Sequence, residues 1–351
     1  MGAWAMLVRF AIHQGEKWRA IDNGSEEQNL TYAAEESIHT TSSAAGMSLA
    51  RLFRSALGRR LSREWRLRGA SKDMWKAYRQ VPLADDQTRL CVIAVWDISM
   101  KKWRFCKAYA LLFGLTGAVI NFNRLPVFMA AAARRVLAVP VQHFFDDFRI
   151  VEPLLANGAG LKAFEWLADF IGLRFDPKKD QPPTPELPLL GNIEAYSRSS
   201  VADVVELWAK PERVEAVRLL VLELIARQWV TSGEASSLRG RLLHLASTRP
   251  SRTGRAVMPA LNELASSLSS GAWSLELLWD LGAALELLRL SHVREFRSVP
   301  PLACGPRCWT DASFSVMEAG PAMKLCAILL RRWRREGGCY GNTRVVFRPV
   351  T

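Results

Sequence analysis

Residues 139–151, Val-Pro-Val-Gln-His-Phe-Phe-Asp-Asp-Phe-Arg-Ile-Val, set two adjacent carboxylates, Asp146 and Asp147, in a largely apolar run. Burying like charges side by side is costly, so such a segment must bring both acids to a place where water or a cation meets them. Apolar residues flank the pair on both sides, which predicts two strands with the acids at a tight turn. A hairpin tip of that kind presents oxygen ligands suited to divalent cations. It is also compatible with an ordinary hairpin closed by an Asp-Asp turn. A third acid, Asp73, ends another segment in Ser-Lys-Asp-Met-Trp-Lys-Ala-Tyr-Arg-Gln-Val-Pro-Leu, with Tyr78 five positions on. Phosphoryl transfer to a 3′-hydroxyl uses two metal ions roughly 3.5–4 Å apart, held by carboxylates that converge from different strands. Asp85 and Asp86 are also adjacent, but their polar context reads as a solvated turn.

The 351 residues are 49% hydrophobic, enough to bury a sizeable core. A formal charge of +13 and an isoelectric point near 9.8 point towards a polyanionic partner, nucleic acid or an anionic surface. Cys91, Cys106, Cys304, Cys308, Cys326 and Cys339 are too dispersed for a secreted disulfide framework. Cys304 and Cys308 are spaced C-x3-C, but Cys326 and Cys339 stand singly, without the paired spacing of a zinc ribbon. The N-terminal stretch makes a poor secretory signal, and the longest apolar run is too short and too glycine-broken to span a bilayer. The expectation is an intracellular protein, cytoplasmic or nuclear, with no membrane partner.

Residues 51–68 hold seven arginines interleaved with Leu52, Phe53, Leu57, Leu61, Trp65 and Leu67, a pattern that suits an amphipathic helix. Arg59, Arg60 and Arg63 are its candidate phosphate contacts; a solvated helix face is the plainer reading. Strands are expected around 90–98 and on either side of Asp146 and Asp147, with a helix near 116–137 between them. The prolines of residues 176–188 predict a loop. Helices follow at 211–230, with Pro211 in the first turn, from 232, with Thr231 and Glu234 as a capping box, and at 275–290. The signatures of serine hydrolases, dinucleotide-binding folds and phosphate-binding loops (GxSxG, GxGxxG, GxxxxGK) are absent.

In order along the chain these blocks resemble the reverse transcriptases of long-terminal-repeat and tyrosine-recombinase retrotransposons, from about Lys17 to about Arg255. Trp-Arg-Ala-Ile-Asp, with Arg19, and Asn29 look like the fingers signature that contacts template and incoming nucleotide. Asp-Met-Trp-Lys-Ala-Tyr resembles the first palm motif, which places Asp73 on its catalytic aspartate and Tyr78 on its aromatic steric gate. Residues 111–125 resemble the second motif, with Gly114 its glycine. His-Phe-Phe-Asp-Asp-Phe sits where the family has an aromatic-x-Asp-Asp box, with Phe144 in place of the usual tyrosine. Gly-Leu-Arg-Phe-Asp-Pro-Lys-Lys resembles the next motif, Lys179 being the nearest match to its lysine. Residues 187–194 resemble the primer grip, and the helices around residues 234–247 the thumb and connection. The second motif departs from the family's Pro-Phe-Gly, reading Leu112-Phe113-Gly114 and then Ala118-Val119.

The resemblance implies an α+β right-hand polymerase fold. Its divisions would be partial fingers over 1–70, palm over 71–195, thumb and connection helices over 196–300, and a truncated ribonuclease H-like segment over 301–351. It implies RNA-directed DNA polymerase activity with Mg2+ (or Mn2+) at Asp73, Asp146 and Asp147. The partners would be a template–primer duplex and deoxynucleoside triphosphates, the latter met by Tyr78, Gly114, Arg19 and Lys179. Cys-Trp-Thr-Asp-Ala-Ser-Phe resembles the first strand of a ribonuclease H domain, with Asp311 on its first metal-binding aspartate. Only Glu318 and Glu336 are acidic beyond it, so no ribonuclease H activity is expected. The alternative is a remnant of such an element that binds nucleic acid without turnover. A third reading, an unrelated basic α/β protein, predicts that Asp73 lies far from Asp146 and Asp147.

Overall fold

The computed structural model describes residues 5–14, 17–24, 46–50, 65–200, 204–248, 258–289 and 293–297, with single positions at 38, 41 and 53. Packing groups them into two units. One takes the described residues of 1–45 and 69–184, the other those of 46–68 and 185–351.

The first unit holds two four-stranded sheets and two helices. β1 (Met6–Gln14), β2 (Lys17–Asn23), β4 (Val92–Asp97) and β5 (Lys102–Lys107) form one sheet in the order β2-β1-β4-β5. β1 pairs antiparallel with β2 and parallel with β4. Period-two alternation drives Leu7 and Ile93 onto one face, where they pack with Cys91, Ala108 and Leu112. The second sheet runs β6 (Val141–Phe144), β7 (Asp147–Pro153), β3 (Leu67–Asp73) and β8 (Gln181–Thr184), in that order. Helices α1 (Thr116–Val136) and α2 (Ala159–Phe170) belong to the same core as this sheet, with Phe122, Met129, Phe148, Ile150 and Phe164 fully enclosed. Each such side chain contributes about 1.5–3 kcal/mol by leaving water. The strand endings that carry the acids are therefore rooted in this buried core.

The second unit has an antiparallel sheet of β9 (Glu186–Leu189), β10 (Asn192–Ala195), β11 (Val204–Ala209) and β12 (Arg294–Arg297), ordered β12-β11-β10-β9. Among the described residues, four helices follow β11 in sequence: α3 (Pro211–Arg227), α4 (Ser232–Ala246), α5 (Pro259–Ser266) and α6 (Leu275–Arg289). They bury Val221, Leu224, Leu238 and Leu281 together. Pro211 begins α3, and Thr231 caps α4 with Glu234 closing the box, both as the sequence predicts. Asp280, buried on α6, accepts the Leu261 N–H of α5's first turn at 2.9 Å.

Two expectations are corrected. Residues 176–188 are not all loop: β8 carries Pro182 and Pro183, and β9 carries Pro188. Both are edge strands, where a residue without an N–H leaves no ladder bond unmade. The helix expected over 51–68 does not reach its end, because Leu67 and Arg68 open β3; helical residues are described at 46–50 and 53. Arg59, Arg60 and Arg63 lie outside the described residues, as do Asn29 and the whole segment 301–351 with Asp311. Among the described residues no helix is long and apolar enough to cross a membrane.

Candidate active site

The three aspartates lie at the meeting of β3 with the β6–β7 hairpin. β3 and β7 are neighbours in the sheet, and Asp73 is the last residue of β3. Phe144 pairs with Asp147 across the hairpin, which leaves Phe145 and Asp146 at its tip. Phe145 takes a left-handed conformation there (φ 52°), a local cost that the surrounding sheet must hold in place. The Met74 N–H donates to the Asp146 carbonyl at 3.0 Å, tying the tip to the residue after Asp73.

The electrostatics register this closeness. Burial pushes the Asp147 carboxyl up to about 7; the charges of Asp146 and Asp73 push the same way, Lys179 opposes them, and a hydrogen bond with the Asp73 carboxyl adds to the rise. Burial also raises Asp146, with a contribution from Asp73 against its own backbone amide and Lys179. The Lys179 ammonium donates to Asp73 Oδ2 at 2.8 Å, and that bond first, then the three carboxylates together, raises its own pKa against a smaller effect of burial. Lys179 is delivered by the turn after Phe175, in which the Asp176 N–H donates to the Asp73 carbonyl at 2.9 Å.

Tyr78 stands beside this cluster on a short 3-10 turn, Ala77–Gln80. Its ring stacks on Phe122 (centroids 4.5 Å, planes 24° apart) and meets the edge of Phe113 at 5.5 Å. Burial, then the Asp146 charge, raises its hydroxyl pKa, so it stays a neutral phenol. Gly114 is positioned by a close approach: at φ 121°, a Cβ would lie 2.1 Å from the Asp22 carbonyl oxygen. Asp22 itself is 2% exposed and accepts from Arg9 (2.7 and 3.0 Å) and Arg79 (3.4 Å). It thereby anchors the Tyr78 turn to the β1–β2 hairpin. The sequence offers only a faint signal for this, an acid one residue before the end of an exposed strand. Arg19 is exposed on β2 and is not among the charges that perturb the carboxylates.

Asp73, Asp146, Asp147, Lys179 and Tyr78 are thus one group of side chains, Gly114 lies next to Phe113 in it, and Arg19 stands apart. Among the described residues, no group of three or more His, Cys, Asp or Glu is placed to hold a metal ion. Mg2+ commonly takes only one or two carboxylates and completes its shell with water and substrate phosphate, and Asp73, Asp146 and Asp147 offer oxygens of that chemical kind. The Lys179 ammonium binds Asp73 Oδ2 at 2.8 Å, an oxygen for which a cation would compete.

No family model and no curated protein matches the chain. Solved structures do match. The foamy viral protease–reverse transcriptase in its dRH form with double-stranded DNA superposes with a TM-score of 0.56 and 14% identity, over 82% of this chain and 44% of that one. The same viral enzyme with an RNA/DNA hybrid gives 0.56 and 13%, over 81% and 33%. A further structure with double-stranded DNA gives 0.53 and 14%, over 81% and 52%. The chain therefore spans a third to about half of the proteins it matches. At this identity the likeness speaks for the fold: a mixed α+β, reverse transcriptase-like architecture.

Proposed function

We propose that the chain is the polymerase part of a retroelement reverse transcriptase, catalysing DNA synthesis on an RNA or DNA template by two-metal nucleotidyl transfer. The observation that carries this reading is the convergence of Asp73 with Asp146 and Asp147, from two neighbouring strands, on a fold shared with reverse transcriptases. The matched viral structures contain double-stranded DNA or an RNA/DNA hybrid, which supports a template–primer duplex as partner. In this reading the retrotransposon lineage, the fingers, palm and thumb divisions and the truncated ribonuclease H-like tail follow the motif pattern, and Arg59, Arg60 and Arg63 contact phosphates.

Carboxylate oxygens of Asp73, Asp146 and Asp147 would hold Mg2+ or Mn2+, which when bound lowers the pKa of the primer 3′-hydroxyl and offsets charge on the triphosphate. A cation held there would favour the ionised form of Asp147 against the burial that raises its pKa. Lys179 turns from Asp73 to offer its N–H groups to a phosphate oxygen. Tyr78, stacked on Phe122 and in edge contact with Phe113, would exclude a 2′-hydroxyl with its ring, so deoxynucleotides would be preferred. One observation favours a fold that binds nucleic acid without turnover: the Lys179–Asp73 ion pair occupies a carboxylate oxygen that the polymerase reading assigns to a metal ion. The two readings separate in a primer-extension assay on RNA and DNA templates with Mg2+. Extension with deoxynucleotides supports the polymerase; salt-sensitive binding without extension by a folded chain supports the remnant.

A further inference from the structure

The β3–β8 ladder pairs Ser71 with Gln181 in antiparallel register. Just before β8, two ion pairs cross from the incoming turn to β3: Lys72 Nζ to Asp180 Oδ2 at 2.5 Å, and Lys179 Nζ to Asp73 Oδ2 at 2.8 Å. The charges are exchanged between the two segments, Lys-Asp against Lys-Asp. Lys72 and Asp73 are consecutive in β3 and so point to opposite faces, which puts the two pairs on opposite sides of the sheet. The Asp73–Lys179 pair is half open to water, with the Lys179 side chain 58% exposed. In its counterpart the Lys72 side chain is 7% exposed, is also paired with Glu165 of α2, and lies over the Phe175 ring, while Asp180 (28%) and Glu165 (38%) keep an edge to water.

We propose that Lys72 and Asp180 are positioning residues that clamp the 176–180 turn to β3 and so set where Lys179 stands over the carboxylates. The inference rests on the polymerase reading for its catalytic consequence, and on geometry alone for the clamp. Ion pairs at the surface hold little, but an enclosed lysine between two acids resists loss of either partner. Lys179 sits one residue from that pair, so its freedom is that of the short turn between the Asp176 N–H bond and Asp180. Releasing Asp180 widens that freedom without touching a carboxylate of the site.

The test is Asp180→Asn, with Lys72→Met and the conservative Lys72→Arg, each checked for folding. Hydrogen exchange over residues 174–180 needs no turnover: it should quicken several-fold in Asp180→Asn and Lys72→Met and stay near wild type in Lys72→Arg. In primer extension, Asp180→Asn should lower kcat/KM for the nucleotide about ten- to a hundredfold, with duplex affinity unchanged, and should have no further effect in a Lys179→Met background. Unchanged exchange overturns the clamp. Faster exchange with an undiminished Asp180→Asn effect in the Lys179→Met background overturns the action through Lys179. A wild-type chain that does not extend primers overturns the polymerase reading and the catalytic role, and the exchange arm still decides the clamp.

Discussion

Gly114→Ala tests how the turn before α1 is held. A Cβ at this position would lie 2.1 Å from the Asp22 carbonyl oxygen, where real Cβ contacts essentially never fall below 3.0 Å. The neighbour is backbone of β2, already fixed by the Asp22 ion pairs with Arg9 and Arg79, and cannot rotate away. One segment must move by about 1 Å, an overpacking that costs roughly 1–3 kcal/mol. The φ of 121° adds about 1–3 kcal/mol for a residue with a side chain. The sum, on the order of 3 kcal/mol, lowers Tm by roughly 6–12 °C for a unit of this size. Gly172→Ala is the control: φ is 78° but nothing lies within 4 Å, so it should lose only about 1–2 kcal/mol. Urea unfolding of both variants measures the difference. A Gly114→Ala protein as stable as Gly172→Ala would refute the close approach, and with it the account of how Phe113 is set against Tyr78.

Tyr78→Ala should relax discrimination between deoxy- and ribonucleotides, read as the ratio of their kcat/KM values; an unchanged ratio argues that the ring is only core. In metal-free protein, the folded pKa of Asp147 is raised to about 7 from 3.8. Its contribution to stability is therefore complete below about pH 4 and is lost as pH rises through about 7, a few kcal/mol in all. Urea midpoints across that window should fall, and Mg2+ should restore them near pH 7; a flat profile contradicts the cluster. Thr231→Ala should cost about 1 kcal/mol by removing the α4 cap. Neutralising Arg59, Arg60 and Arg63 together should weaken duplex binding for all sequences alike and flatten its salt dependence; an unchanged slope would place the nucleic acid elsewhere.

The sequence is most legible where local chemistry and packing agree. Asp146 and Asp147 between apolar flanks predict the hairpin, and the β6–β7 turn sits there. Pro211 and the Thr231–Glu234 box mark helix starts because capping is a local event. What stays hidden is set by distant pairing. In β1 the apolar residues Met6, Val8, Phe10 and Ile12 recur at every second position yet are exposed, and the fully buried residue is Leu7 between them, so the period-two signal marks the wrong face. Prolines 182, 183 and 188 read as loop because nothing local says that their strands lie at sheet edges. Lys72 and Asp180 look like ordinary surface charges until the turn before β8 brings them together. Asp22 gains its role only from Arg9 and Arg79, fifty-seven residues away in the second case.

The central claim is that Asp73, Asp146 and Asp147 form one catalytic site. Single-turnover extension of a labelled primer with Mg2+ and deoxynucleotides, comparing wild type with Asp73→Asn, Asp146→Asn and Asp147→Asn, tests it most directly. The account predicts metal-dependent extension by the wild type and a loss of at least about a thousandfold in each variant, with duplex binding and folding retained. Extension that survives any of the three substitutions at near wild-type rate would contradict it.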